Sequence, residues 1–189
     1  MNAAFKRGLI IASVTTISFL ILWHFFGESI AHEKADSPTA LLDEMEKTGV
    51  PKFTLPDFDG KPYSLEATKD KLILVNFWAT WCAPCVTEFP SMIKMVKQMN
   101  GKVLMITVSG DERKQDVLDF IKTFEGRAPN VIHLWDPELK VAGTYGTTRL
   151  PESYLIGPDL RLIRKVVNSL DWNSPESISY LKSEFSKIN

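Results

Sequence analysis

The chain has 189 residues, 44% of them hydrophobic and 24% charged, a composition that excludes a disordered or collagen-like protein. Its 22 Lys and Arg side chains stand against 23 Asp and Glu, for a formal net charge of −1. The basic footprint of a nucleic-acid-binding protein is therefore missing, and no nucleic-acid partner is expected.

Lys6 and Arg7 precede an uncharged run from Gly8 to Phe26. As a helix, that run is roughly 28 Å long, close to the ~30 Å hydrocarbon core of a bilayer. Glu28, Glu33 and Asp36 follow it. Basic residues before and acids after predict a cytoplasmic N-terminus with the remainder outside, on the periplasmic face of the membrane. Ser29-Ile30-Ala31 offers small residues for signal cleavage, but the apolar run exceeds the usual 7–15 residues of a signal h-region. Residues 1–27 are read as a retained signal anchor, a cleaved soluble form being the alternative, and residues 28–50 as a tether. Ser37-Pro38 caps a short helix over Thr39–Lys47 within the tether, and Gly49 ends it.

Residues 51–189 are read as one folded domain. Phe53–Leu55 and Tyr63–Leu65 flank an Asp59-Gly60 turn and predict a hairpin. The apolar run Leu72–Trp78 predicts a buried central strand. A helix is predicted from Cys82 to about Asn100, kinked at Pro90, with Val86, Phe89, Ile93, Val96 and Met99 at helical spacing. Then follow a strand over Val103–Val108, a helix over Asp111–Phe124, a strand over Val131–Leu134 and a short helix over Glu138–Tyr145. Ser153–Ile156 and Leu162–Val167 read as a closing hairpin, and Ser174 caps a last helix. Alternating strands and helices followed by a hairpin predict an α/β fold with a mixed sheet covered on both faces.

Cys82 and Cys85 are the only two cysteines, in the stretch Trp81-Cys82-Ala83-Pro84-Cys85 between that central strand and its helix. In this context Cys-x-x-Cys reads as a dithiol/disulfide redox centre. The unpaired N–H groups and partial positive charge of a helix N-terminus favour a thiolate there, so Cys82 is assigned as the attacking thiol. Cys85, one turn on, is assigned as the resolving thiol. Pro84 is tolerated in a first turn because its missing N–H would have no helical partner. Trp81 and Pro84 would give a substrate an apolar landing surface. A structural disulfide stays open as a reading, although so short a loop restricts the unfolded chain little. Zinc needs about four ligands, and His32 and His133, the histidines beyond the apolar N-terminus, are remote in sequence; no metal is expected.

The order of elements around Trp-Cys-x-x-Cys resembles the thioredoxin fold, and more closely the membrane-tethered TlpA/ResA/DsbE-like group. The likeness covers about residues 50–170. It rests on Phe58-Asp59-Gly60-Lys61, Val75-Asn76-Phe77-Trp78-Ala79-Thr80-Trp81-Cys82-Ala83-Pro84-Cys85, Glu88-Phe89-Pro90, and Tyr145-Gly146 followed by Leu150-Pro151-Glu152-Ser153-Tyr154-Leu155-Ile156. The resemblance implies that Pro151 is a cis-proline beside the dithiol and that the backbone of Leu150 pairs with an extended substrate segment; Glu152, just after Pro151, is placed near the site, where it could tune it or touch substrate. Ordinary thioredoxin has an aspartate where this chain has Asn76. The resemblance implies that Glu88 replaces it as the proton acceptor for Cys85, its pKa raised by burial. It also implies a thiol–disulfide oxidoreductase that reduces apocytochrome c or a copper-assembly protein and is itself reduced by a membrane dithiol protein. No motif for NADPH or flavin is present, and no cofactor is expected. The alternatives carried forward are a non-catalytic copper-binding module and a thiol oxidant or disulfide isomerase. His133 is read as structural, and Met92, Met95, Met99 and Met105 as packing residues.

Overall fold

The computed structural model describes residues 18, 20–24, 38–68 and 70–188. Most of the expected anchor, and residues 28–37 of the expected tether, lie outside the described residues. Residues 20–24 are helical, and no helix among the described residues is long and apolar enough to cross a membrane. From residue 42 onward the chain forms one compact unit.

Helix α1 (Pro38–Thr48) precedes a small hairpin of β1 (Thr54–Pro56) and β2 (Pro62–Ser64). The two strands pair antiparallel, Thr54 opposite Ser64. Asp57 closes the turn: its Oδ1 accepts from the backbone N–H groups of Asp59 and Lys61, both at 2.9 Å. Gly60 sits in the turn at φ +82°, which a residue without Cβ adopts freely.

The main sheet contains β3 (Leu72–Trp78), β4 (Val103–Ser109), β5 (Val131–Trp135), β6 (Glu152–Ile156) and β7 (Leu162–Val167) in the order β5-β4-β3-β6-β7. β3, β4 and β5 are parallel, and β6 runs antiparallel to both of its neighbours, β3 and β7. Every residue of β3 and β4 is buried, as expected for strands covered on both faces. Pleating sends Leu72, Leu74 and Trp78 into one core. They pack there with Phe89, Met92 and Val96 of α2 (Ala83–Met99), Val117 and Phe120 of α3 (Lys114–Thr123), and Ile178 and Leu181 of α5 (Pro175–Ser186). The opposite pleat presents Phe77 to Tyr145, ring centroids 5.3 Å apart. Tyr145 ends the short α4 (Lys140–Thr144) and donates to Pro51 O at 2.9 Å.

Pro90 lies inside α2, which continues as one helix to Met99 and ends at Asn100 in the left-handed region, φ +48°. Two predicted helices begin later than the sequence suggests, because nearby carboxylates are committed elsewhere. Asp111 turns back to Thr80, and α3 starts at Lys114. Asp136 accepts from the N–H groups of Lys140 and Val141, so α4 starts at Lys140. Ser174 caps α5 as predicted, its hydroxyl accepting from Ser177 N–H.

A buried ion pair joins β6 to β7. Lys165 Nζ lies 2.7 Å from Glu152 Oε2, with side chains 15% and 2% exposed. Tyr154 OH donates to the same oxygen at 3.1 Å, and Lys165 also donates to Gly146 O at 3.3 Å. Removing one partner leaves a buried charge unmatched. Lys165→Met is expected to cost about 3 kcal/mol in urea unfolding at pH 7, and the double variant Lys165→Met/Glu152→Gln to recover most of that loss.

Candidate active site

The site grows from the carboxyl end of β3. After Trp78 the chain turns through Ala79-Thr80-Trp81, and Cys82 N–H donates to Ala79 O at 3.2 Å. Cys82 is the N-cap of α2, with Ala83 and Pro84 opening the first turn. Its sulfur accepts from Cys85 N–H at 3.3 Å. The two cysteines form a disulfide, with Cα atoms 5.3 Å apart. The sulfur-bearing residues are 6% and 2% exposed for Cys82 and Cys85, so Cys82 is the more accessible. Orphan N–H groups at this helix end would stabilise a Cys82 thiolate in the reduced form.

Beside Cys82 lies a groove of about 480 Å³, lined by Trp81, Pro84, Leu139, Ala142 and residues 147–150. Trp81 is 68% exposed at its rim. The Leu150–Pro151 bond is cis, and Pro151 is buried. The structure thus brings the predicted Trp81, Cys82, Pro84 and Leu150 together, with Pro151 next in the chain. Glu152 has other surroundings: it is buried in the ion pair with Lys165 and does not line the groove.

Glu88 sits in the second turn of α2 on the sheet side and is 4% exposed. Its Oε1 accepts from Asn76 Nδ2 at 3.1 Å and its Oε2 from Leu170 N–H at 3.0 Å. Neither cysteine is among its hydrogen-bond partners. It borders a second cavity, about 420 Å³, with Ser91, Lys94 and the 169–171 segment. Burial pushes its carboxyl from 4.5 up to about 7, against the opposing pull of the Leu170 and Asn76 donors. The Trp172 indole N–H favours the charged form too, but from outside hydrogen-bond geometry, since that atom has no partner.

Sequence reasoning passed over Asp111, which is 1% exposed. Thr80 N–H donates to both of its carboxylate oxygens, at 3.1 and 3.0 Å, and the Thr80 hydroxyl donates to Oδ1. Ser109 Oγ donates to Oδ2 at 2.6 Å. Asp111 therefore holds the turn that delivers Trp81 and Cys82. Its one signal in the sequence is its place just after a buried strand, behind Ser109-Gly110. Leu139 and Arg149 were passed over as well; Leu139 reaches the groove through tertiary structure that no periodicity encodes, while Arg149's one signal is its place directly before Leu150.

His133 is a half-buried packing residue. Burial lowers its pKa to about 4, so the ring is neutral. Nε2 faces Gly126 O at 3.2 Å and acts as donor, which leaves Nδ1 to accept from Thr107 Oγ1 at 2.6 Å. With Nδ1 so engaged the ring has no lone pair to offer a metal. Among the described residues no three His, Cys, Asp or Glu side chains converge as a ligand set.

Residues 47–165 match the AhpC/TSA family. The chain is 35% identical over 118 residues to the thiol-disulfide oxidoreductase ResA of Bacillus cereus, covering 62% of this chain and 66% of that protein. It is 32% identical over 126 residues to the ResA of Bacillus subtilis, covering 66% and 69% of the two chains. The match to the first of these thus spans just under two thirds of its length. The thioredoxin domain of a thiol-disulfide oxidoreductase from Bacteroides vulgatus superposes with a TM-score of 0.62 at 23% identity, over 73% of this chain and 96% of that one. That likeness bears on the fold, which is thioredoxin-like.

The raised pKa of Glu88 has a measurable consequence for stability. Between pH 4.5 and about 7 the folded protein holds a proton on Glu88 that the unfolded chain has released. The stabilisation is complete below pH 4.5 and is lost as the pH rises through 7. Glu88→Gln removes this dependence. Its unfolding free energy, relative to the parent, is expected to rise by about 3 kcal/mol from pH 4 to pH 8 in urea titrations of the oxidised forms. A difference that stays constant with pH would assign Glu88 an ordinary carboxyl.

Proposed function

Because the chain belongs to the AhpC/TSA family and stands with the ResA/DsbE-like thiol-disulfide oxidoreductases, we propose that it is a membrane-tethered extracytoplasmic reductant of protein disulfides. The observation that carries this reading is the helix-capping Cys82, open to a groove, in front of a more buried Cys85.

In the reduced form, the Cys82 thiolate attacks one sulfur of a substrate disulfide. A mixed disulfide forms, the substrate S–S bond breaks, and the departing sulfur takes up a proton. Glu88 accepts the Cys85 proton. The Cys85 thiolate then attacks Cys82 Sγ and expels the second substrate thiolate, which is protonated in turn. Two electrons have passed to the substrate, and the protein is left with its Cys82–Cys85 disulfide, the state seen here. Return to the dithiol needs a second dithiol protein, which in this reading lies in the membrane. The substrates proposed are the haem-binding cysteine pair of apocytochrome c or the cysteines of a copper-assembly protein. Ala83-Pro84 supplies no histidine to stabilise the thiolate further, which favours a reductant over an oxidant.

The test is the reduction potential of the full chain, equilibrated in defined thiol/disulfide buffers. A value below roughly −220 mV is expected; one above roughly −180 mV would make the protein an oxidant or isomerase. In the same assay series, Glu88→Gln is expected to slow disulfide reduction about tenfold or more and to remove an inflection near pH 7 from the rate profile. An unchanged profile would refute the proton-transfer role.

A further inference from the structure

Resting on the oxidoreductase reading, we infer that the groove beside Cys82 selects disulfides flanked by acidic side chains, and that Arg149 is the residue that reads them. Apart from the cysteine, the lining is apolar or uncharged save for one group: Arg149. The apolar part is formed by Trp81, Pro84, Leu139 and Leu150. Arg149 is exposed and takes part in no ion pair among the described residues. The carboxylate closest to it along the chain, Glu152, is already held by Lys165. The cation is therefore uncompensated at the rim of a site that must accept a polypeptide.

Its place in the chain gives the charge a register. Arg149 directly precedes Leu150 and the cis Pro151. A substrate segment that pairs with the backbone at Leu150 places one of its own side chains opposite or diagonal to Arg149, within about 5–8 Å. An acidic side chain there gains an exposed ion pair and a basic one meets repulsion. The groove's apolar wall adds affinity without regard to charge. The partner that fits is an extended, disulfide-bearing segment with Asp or Glu one to three residues from the attacked cysteine.

The test uses the reduced full chain and synthetic peptides, each closed by one internal disulfide and differing only in a Glu, Gln or Lys near the cysteine. Initial rates should follow the order Glu, Gln, Lys. The Glu peptide should be about fivefold faster than the Gln peptide at low ionic strength, and the spread should shrink as salt is raised. Arg149→Gln should level the three rates, and Arg149→Glu should reverse their order. Equal rates for the three peptides with the parent protein would overturn the inference while leaving the oxidoreductase reading intact. So would an Arg149→Glu variant that slows all three alike and shifts the pH of half-maximal rate, since that would place the arginine's effect on the Cys82 thiolate. Failure of the parent protein to reduce any of the peptides would sink the oxidoreductase reading and this inference with it.

Discussion

The packing of α2 across β3 is the constraint from which the site follows. β3 is buried along its whole length, so it can end only where the chain emerges at the sheet's carboxyl edge. The helix that follows must cover Leu72, Leu74 and Trp78 with Phe89, Met92 and Val96. Such coverage fixes the helix along its length and sets its first turn at the end of the core, where Cys82 and Cys85 are buried with it. Cys82 occupies that turn, where backbone N–H groups have no helical partner. The dithiol is thus placed by hydrophobic burial some residues away, and Asp111 trims the result by holding Thr80 through three hydrogen bonds.

The same packing puts Asn76 and Glu88 face to face in an otherwise apolar layer. Asn76 Nδ2 donates to Glu88 Oε1 and to Ser153 Oγ, at 3.1 and 2.9 Å. An aspartate at position 76 would set a second carboxylate against Glu88 at this distance, and one of the two could ionise only at great cost. An amide avoids that conflict. It can donate through nitrogen to the carboxylate and, with its amide turned over, accept through oxygen from the carboxylic acid. The residue that departs from ordinary thioredoxin is therefore the one that lets a buried glutamate change protonation state without losing its partner.

Much of this arrangement could be read from the chain. The central strand, the Cys-bearing helix start and the closing hairpin have strong local signals: a continuous apolar run, a proline in a first turn, and Gly157-Pro158-Asp159 between alternating strands. Cys82, Cys85, Trp81 and Pro84 lie on or next to such signals, whereas Leu150 was singled out only through the family resemblance. What was not legible depends on distant segments meeting. Leu170 N–H reaches Glu88 from a loop 82 residues on. Glu152 follows the cis-proline and read as a site residue, but its neighbour across the hairpin is a lysine whose Nζ takes its carboxylate. The starts of α3 and α4 were misjudged because helix periodicity says nothing about where Asp111 and Asp136 spend their hydrogen-bonding capacity.

Two cavities meet α2 and share no lining residue. One is lined by Cys82 with Trp81 and Leu150; the other by Glu88 with Ser91 and Lys94. Cys85 precedes Glu88 by three residues, so it shares Glu88's side of the helix while its sulfur bonds to Cys82. An exchange centre must do two incompatible things. It must bring a bulky polypeptide against one sulfur with little water present, and it must move a proton to and from the other, for which water is the natural carrier. With Glu88 as the proposed proton acceptor, separate cavities would ease the conflict: substrate would fill the groove at Cys82 while the buried carboxyl of Glu88 borders a different cavity, so the state that binds most tightly need not be the state in which the proton is trapped.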